Sequence, residues 1–249
     1  MRKENVSPKG EVANSPIPWH VLIWNDFSNH TCGGVILDHM TILSDYRCFE
    51  VYHNEFDEER NRSLDGKLND NFFRLHVTTG SVQRKIGQSL GIRMYFSPVP
   101  KYNEFAIIKL ASHIDLGYNS LPACLPTSEE QVPFKKCYYC GWNDQEKLRW
   151  FIATINQNKC QRFKGFDPSK QLCASSDLLK DGDIGGALIC MDGKVPVVAA
   201  IAKGNFVYPG NRRFGIFTKI LPNHLSHIKR FMDVKDINYP GASCSTYKL

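Results

Sequence analysis

Two short apolar runs lie in the stretch Cys32-Gly-Gly-Val-Ile-Leu-Asp-His-Met-Thr-Ile-Leu-Ser-Asp-Tyr-Arg-Cys48, on either side of a polar turn. Runs of this length, Val35 to Leu37 and Thr41 to Leu43, are typical of neighbouring β-strands. The two cysteines at its ends stand sixteen residues apart, so a disulfide could close a loop the size of a hairpin. The stretch taken alone suggests a β-hairpin and no more.

The rest of the chain repeats this pattern of short apolar runs bounded by Gly, Pro, Asn and Asp. The further runs are His20 to Trp24, Arg74 to Thr78, Phe105 to Leu110, Ala187 to Cys190, Val195 to Ile201 and Phe214 to Thr218. Near the end the period changes, because Leu225, Ile228 and Phe231 recur at helical spacing behind Pro222. The sequence therefore predicts an all-β protein with one C-terminal amphipathic helix.

Composition excludes several classes of protein. With 249 residues, 42% of them hydrophobic and 22% charged, the chain can bury an ordinary core and is not intrinsically disordered. The net charge of +6, from 31 basic and 25 acidic residues, is too small to indicate nucleic-acid binding. No run of eighteen apolar residues predicts a membrane span, and the polar opening MRKENVSPKGEVANSP shows no signal peptide.

Cysteines and glycosylation motifs nevertheless favour an oxidising compartment. The chain has nine cysteines, and acceptor motifs for N-linked glycans begin at Asn5, Asn29 and Asn61. We therefore predict a secreted glycoprotein whose leader has been trimmed, or an incomplete or engineered chain. Chance motifs in a cysteine-rich cytosolic protein are the alternative. Cys137-Tyr-Tyr-Cys140 has no second ligand pair, so we expect no metal and no cofactor.

Four further motifs follow the first stretch in a specific order. They are Tyr102-Asn-Glu-Phe-Ala-Ile-Ile-Lys-Leu110, Leu121-Pro-Ala-Cys-Leu-Pro126, Cys140-Gly-Trp142, and Gly182-Asp-Ile-Gly-Gly186 leading into Cys190. From about Pro18 to Met232 this series closely resembles the chymotrypsin/trypsin-like serine protease family. The resemblance implies two six-stranded antiparallel β-barrels with a C-terminal α-helix, and a catalytic site in the cleft between the barrels.

The resemblance also sets the expected organisation of one trypsin-like domain over 1–249. Its parts are a polar N-terminal segment at 1–17, a first barrel at about 18–115, a second barrel at about 116–222, the helix at about 223–234 and a tail at 235–249.

The resemblance places three unusual residues at the catalytic positions. The family's base precedes the second cysteine in Thr-Ala-Ala-His-Cys, and Arg47 stands there; a guanidinium stays protonated and cannot accept a proton. Glu104 replaces the orienting Asp, and Ile184 replaces the nucleophilic Ser of Gly-Asp-Ser-Gly-Gly. Since the triad acts as a unit, the resemblance implies an inactive homologue. We predict that Arg47 and Glu104 form an ion pair, capped by Ile184.

Other family features have also changed. No Ile-Val-Gly-Gly stretch precedes Pro18 to supply an ammonium group for Asp183, which with Gly182 remains from the oxyanion region. Asp183 is therefore expected either to pair with another cation or to lie in a zymogen-like loop. Leu178 lies about where trypsin-like members carry the specificity Asp, and Lys203 replaces the Trp of the substrate-binding strand.

Disulfides implied by the resemblance are Cys32 with Cys48, Cys137 with Cys190, and Cys160 with Cys173. Lys180 occupies one end of the bond that normally closes the specificity pocket. Cys124, Cys140 and Cys244 remain, and an odd number leaves one thiol free or bonded to a second chain.

A fold without its chemistry indicates function by binding. The resemblance to the family's inactive members implies a regulatory cofactor, a decoy or an inhibitor in an extracellular proteolytic pathway, such as complement or the reproductive tract. Its expected partner is a protease, an inhibitor or a complement-type component. Two surfaces are candidates: the charged loop after Cys48, and a basic set that would also suit a glycosaminoglycan, made of Lys159, Arg162, Lys164, Lys170, Arg212 and Arg213. The alternatives are a hydrolase using other residues, or a disulfide-linked structural or assembly protein.

Overall fold

The computed structural model describes residues 11–25, 31–49, 75–83, 86–96, 104–127, 137–142, 147–175, 179, 181–193, 195–208 and 212–232. Several predictions concern residues outside these ranges: the acceptor sites Asn5, Asn29 and Asn61, the charged loop after Cys48, and Leu178, Lys180 and Cys244.

The first half forms a closed antiparallel barrel of six strands. The strands are β2 (His20–Asn25), β3 (Thr31–Ile36), β4 (Thr41–Asp45), β5 (Leu75–Thr79), β6 (Gln88–Phe96) and β7 (Phe105–Leu110), in the order β2-β3-β4-β7-β6-β5. Their apolar residues alternate in direction, as the period of two along a strand requires. On β7, Ala106, Ile108 and Leu110 fill the barrel, while Phe105 and Ile107 pack in a separate core with the second half.

The second half is a seven-stranded antiparallel sheet that curls toward a barrel. Its seven strands are β1 (Glu11–Val12), β8 (Cys137–Trp142), β9 (Leu148–Ala153), β10 (Gln171–Ser175), β11 (Ala187–Asp192), β12 (Val195–Tyr208) and β13 (Arg212–Lys219). The order is β1-β9-β8-β11-β12-β13-β10, and a bridge between Ile155 and Ala174 joins the end of β9 to β10. The predicted all-β fold with two six-stranded, barrel-like halves and a C-terminal helix is confirmed, and β1 is an additional seventh strand of the second half.

The seventh strand comes from the N-terminal segment, which the sequence marks only as polar. Strand β1 (Glu11–Val12) pairs with Trp150 and Arg149 of β9, so this segment crosses onto the second half. The Pro18 carbonyl then accepts a hydrogen bond from Leu121, and that of Trp19 accepts one from Ile36. The segment therefore connects the two halves before β2 begins.

Two α-helices complete the described fold. Helix α1 (Gln157–Cys160) is one turn long, and α2 (Pro222–Phe231) is the predicted C-terminal helix. Pro222 suits the first turn, where its missing N–H costs nothing. Leu225 and Ile228 are buried in the core shared by the two halves, while Lys229 and Arg230 lie exposed in the last turn, where cations favour the helix dipole.

All three disulfides that the family resemblance implies are present: Cys32–Cys48, Cys137–Cys190 and Cys160–Cys173. Within the described ranges, neither helix is long and apolar enough to cross a membrane.

Candidate functional site

Arg47 and Ile184 lie where the two halves meet, a place called here the cleft: Sγ of Cys48, the residue after Arg47, is 3.6 Å from the carbonyl oxygen of Ile184. Arg47 lies on a 3-10 helix, Tyr46–Phe49, that directly follows β4. Ile184 follows a second short 3-10 helix, Asp181–Asp183, and its carbonyl accepts a hydrogen bond of 2.7 Å from Gly33 of β3. The packing of the two halves therefore brings distant positions of the sequence together.

Glu104 lies beside the C-terminal end of β4, the end from which the turn with Arg47 begins. It precedes β7, and the antiparallel register pairs Phe105 of β7 with Asp45 of β4. Strand register therefore places Glu104 next to the turn that carries Arg47. The resemblance predicts this proximity, and the structure shows which side chains actually pair.

Arg47 binds Asp45, not Glu104. Its Nε and Nη2 donate to the two carboxylate oxygens of Asp45 at 2.9 and 3.1 Å, and its backbone N–H donates to Oδ1 at 2.9 Å. The predicted ion pair of Arg47 with Glu104 is therefore wrong. The 3-10 turn holds Asp45, two residues upstream, within reach of the guanidinium, and both oxygens of Asp45 are used.

In this ion pair the Asp45 carboxylate is buried and the Arg47 side chain is partly exposed. The Asp45 side chain is 2% exposed and that of Arg47 is 35% exposed. Burial raises the pKa of Asp45, while the hydrogen bonds and positive charge of Arg47 oppose that rise. Arg47, and to a smaller extent the charge of Lys203, thus favour the charged form of the carboxylate.

Arg47 also joins the two halves. Its Nη2 donates to the carbonyl oxygen of Lys203 on β12, a strand of the second half. Close by, Gly185 donates its N–H to Ala202, the residue before Lys203. The guanidinium thus spans the cleft at the place where the resemblance puts the general base.

Glu104 faces the C-terminal helix. Its Oε2 lies 3.4 Å from Nε2 of His224, which is a long contact. The Nδ1 of His224 accepts a hydrogen bond from Leu221, and burial lowers the pKa of this histidine, so its neutral form is favoured at pH 7. Glu104 therefore has a neutral partner instead of the cation that the sequence suggests.

Replacing Glu104 with Gln should change the free energy of unfolding at pH 7 by less than about 1 kcal/mol. A long contact to a neutral imidazole contributes little, and Gln preserves an oxygen that can accept the same hydrogen bond. Urea titration measures this difference. A loss several times larger would show that Glu104 supports a buried cation after all.

Ile184 packs against the core of the first barrel instead of capping an ion pair. Its side chain is partly buried there, beside the apolar cluster that includes Ile42, Cys48 and Phe49. The prediction that Ile184 covers a pair of Arg47 and Glu104 is wrong, because that pair does not form. The aliphatic side chain instead extends the first barrel's core toward the cleft.

Asp183 is buried and held by backbone groups. It is 2% exposed, and its Oδ1 accepts a hydrogen bond of 2.9 Å from the N–H of Trp142. Gly141 lies so close that a Cβ there would be 2.6 Å from the carboxyl carbon of Asp183. Burial raises the pKa of Cys140, and the charge of Asp183 raises it further. The carboxylate therefore sits in a compact pocket that includes a backbone donor.

The remaining cysteines fall into two groups. Cys140 is a free thiol and is buried. Cys124 is disulfide-bonded, and Cys244 lies outside the described residues. A buried thiol cannot easily bond to a second chain, so Cys140 offers no support for a disulfide-linked dimer.

The structure describes the side chains of four of the six residues in the predicted basic set. The exposed cations of the segment from α1 to the start of β10 are Lys159, Arg162, Lys164 and Lys170. Arg212 and Arg213 open β13 and pair with Tyr208 and Val207, but their side chains lie outside what the structure describes. In the described part of the chain, no three His, Cys, Asp or Glu side chains come close enough to hold a metal ion.

Sequence reasoning missed Asp45 and His224 as the partners of the two cleft residues. One signal for Asp45 was available: the family pattern Thr-Ala-Ala-His-Cys has a small residue where this chain carries Asp45, and opposite charges appear two positions apart. No such signal exists for His224, because the sequence does not show which face of α2 meets β7.

Comparison with known proteins gives two results. The family model described as Trypsin matches residues 9–224. The chain is also similar to transmembrane protease serine 9 of Rattus norvegicus, with 23% identity over 236 residues, covering 84% of this chain and 20% of that protein. The chain thus spans about a fifth of the length of this curated relative.

Proposed function

The chain belongs to the trypsin family of serine proteases, and we propose that it is a catalytically inactive member that acts by binding other proteins. One observation carries this proposal: Arg47, at the family's general-base position, is fixed by two hydrogen bonds to the Asp45 carboxylate. A guanidinium cannot accept a proton from a nucleophile, and here it also fills the space that a base would need.

The second support is the residue at the nucleophile position. Ile184 has no oxygen, sulfur or nitrogen in its side chain, so it cannot attack a carbonyl. Glu104 then has nothing to orient, and its contact is to His224 on the other side of the site. Base and nucleophile are both replaced, and such residues contribute to catalysis only together.

A hydrolase that uses other residues is the second candidate, and Ser44 has a hydroxyl group that lies beside Gly185, the residue after Ile184. Ser44 is completely buried, and its Oγ donates to the carbonyl of Gly33 at 2.8 Å. A substrate could not reach this oxygen without opening the barrel. The contacts of Ser44 therefore favour a structural role.

An extracellular setting fits the binding function. Three disulfides lie within the described fold, and such bonds persist in oxidising compartments. We propose that the protein is secreted and that its partner is an extracellular protease, an inhibitor or a complement-type component. The rat relative is named as a serine protease, so a role beside active proteases is a natural extension.

The experiment is an activity measurement on the purified chain. We expect no labelling by a fluorophosphonate probe and no cleavage of a diverse peptide library above the buffer control, with trypsin as the positive control. Mass spectrometry of any labelled peptide would show whether the label is on this chain or on a contaminant. A labelled Ser44, or turnover lost in the variant Ser44→Ala, would overturn the proposal.

A further inference from the structure

We propose that the segment 157–171, called here the basic loop, binds a sulfated polysaccharide. It lies between the start of α1 and the start of β10 and carries Lys159, Arg162, Lys164 and Lys170, all exposed. None of the cleft residues belongs to it. Binding at this loop is therefore independent of whether the cleft is catalytic.

Positive charge is concentrated on this loop. Four cations stand against a single carboxylate, Asp167, whereas the whole chain has 31 basic and 25 acidic residues. Asp167 already accepts hydrogen bonds from the backbone and hydroxyl of Ser169, at 2.9 and 2.6 Å. A fifth cation, Lys219 of β13, reaches the loop and donates from Nζ to the carbonyl of Pro168 at 2.7 Å. Lys170 also interacts electrostatically with Asp167. With four cations and one carboxylate, the loop carries a net charge of +3.

The backbone that carries these cations is held in place. The Cys160–Cys173 disulfide closes the loop, and Phe163 and Phe166 pack on Phe214 and Ile216 of β13. Lys219 also donates its backbone N–H to the carbonyl of Lys170 at 2.8 Å. Because the loop is anchored, a ligand would not have to order it, and less binding energy would be lost on association.

The composition of the surface favours a polysaccharide over a protein. Protein interfaces depend on large apolar or aromatic anchors, and both aromatic residues of the basic loop pack inward. Among the described residues, the large hydrophobic side chains with clear exposure are Ile86, Tyr118 and Ile152, and all of them lie outside the loop. Sulfate groups need only cations and N–H donors, and Arg162 can bind one with two parallel hydrogen bonds.

The same features argue against a single-stranded nucleic acid. Such ligands are held by stacking of bases on exposed aromatic rings, and the basic loop offers none among its described residues. Binding of sulfate groups does not require exposed aromatic rings. The match is therefore with a flexible polymer that carries closely spaced sulfates.

The test compares two double variants that each remove one arginine and one lysine from exposed positions. The loop variant is Arg162→Gln/Lys164→Gln, and the matched control is Arg93→Gln/Lys147→Gln. Binding to heparin is measured at several NaCl concentrations, with circular dichroism to check folding. We expect the loop variant to bind about tenfold more weakly and to lower the slope of log affinity against log salt by about 1 to 2, since counterion release scales with contacts.

The control variant should stay within about twofold of the unchanged protein. Equal losses in the two variants would show that only net charge matters, and this would overturn the loop as a site. Absence of heparin binding near physiological salt would also overturn it, as would equal affinity for duplex DNA. None of these outcomes bears on the activity measurement, so the two proposals can fail separately.

Discussion

Replacing Arg47 with Met should lower the free energy of unfolding by about 3 kcal/mol at pH 7. The variant keeps a side chain of similar length but removes the cation that binds both oxygens of Asp45. Asp45 is 2% exposed, so its carboxylate would be left with little solvation. We place the effect at the low end of the range for broken buried pairs because the Arg47 side chain is 35% exposed and water can enter its space.

The pH dependence of this loss identifies its cause. Burial already raises the pKa of Asp45, and loss of Arg47 would raise that pKa further. A carboxyl whose pKa is higher in the folded state than in the unfolded state holds its proton longer when folded. Protonation of this carboxyl therefore stabilises the folded state at low pH, and this stabilisation is lost as the pH rises through the pKa of the folded state. The deficit of Arg47→Met should be largest near neutral pH and should shrink in acid.

Asp45→Asn in the Arg47→Met background is the control. It removes the charge that Arg47 balances, so most of the lost stability should return, and the pH dependence of the deficit should flatten. Urea titrations from pH 4 to pH 8 measure both effects. A deficit that is equal at all pH values, or that Asn fails to reduce, would show that Arg47 stabilises the fold by packing alone.

The fold could be predicted because its signals are local and repeated. On β4, Ile42 faces the first barrel and Leu43 faces the core shared by the halves, so consecutive apolar residues mark a strand buried on both sides. Strand β1 could not be predicted, since a two-residue strand has no period and Glu11–Val12 pairs only because β9 passes beside it. Its formation depends on tertiary contact, which the sequence does not display.

The position of the cleft could be predicted from the sequence, but the side-chain partners of Arg47 and Glu104 could not. Resemblance placed Arg47, Glu104 and Ile184 in one site, which the strand register and the packing of the two halves also bring together. The partners depend on side-chain direction in a 3-10 turn and on the rotation of α2, which places His224 opposite Glu104. The charges of Asp45 and Arg47, two positions apart, are visible in the sequence, but nothing there shows that the turn brings these two side chains together.

Gly185→Ala should cost about 2 to 5 kcal/mol, the sum of about 1 to 2 kcal/mol of backbone strain and about 1 to 3 kcal/mol of overpacking. Gly185 has φ of +87°, a conformation that side chains rarely adopt. An added Cβ would also lie 2.5 Å from the carbonyl oxygen of Gly33 and would collide with the hydroxyl of Ser44. Both neighbours are buried parts of the first barrel, so neither can move away without disturbing β3 or β4.

Gly165 of the basic loop separates the two causes. Its φ of +94° is similar, yet no atom lies within 4 Å of the place where its Cβ would stand. Gly165→Ala should therefore show the backbone term alone, about 1 to 2 kcal/mol. The difference between the two variants in urea titration measures how closely the loop before β11 is pressed against the first barrel. Equal losses would show that this loop can move away from β3 and β4 at little energetic cost.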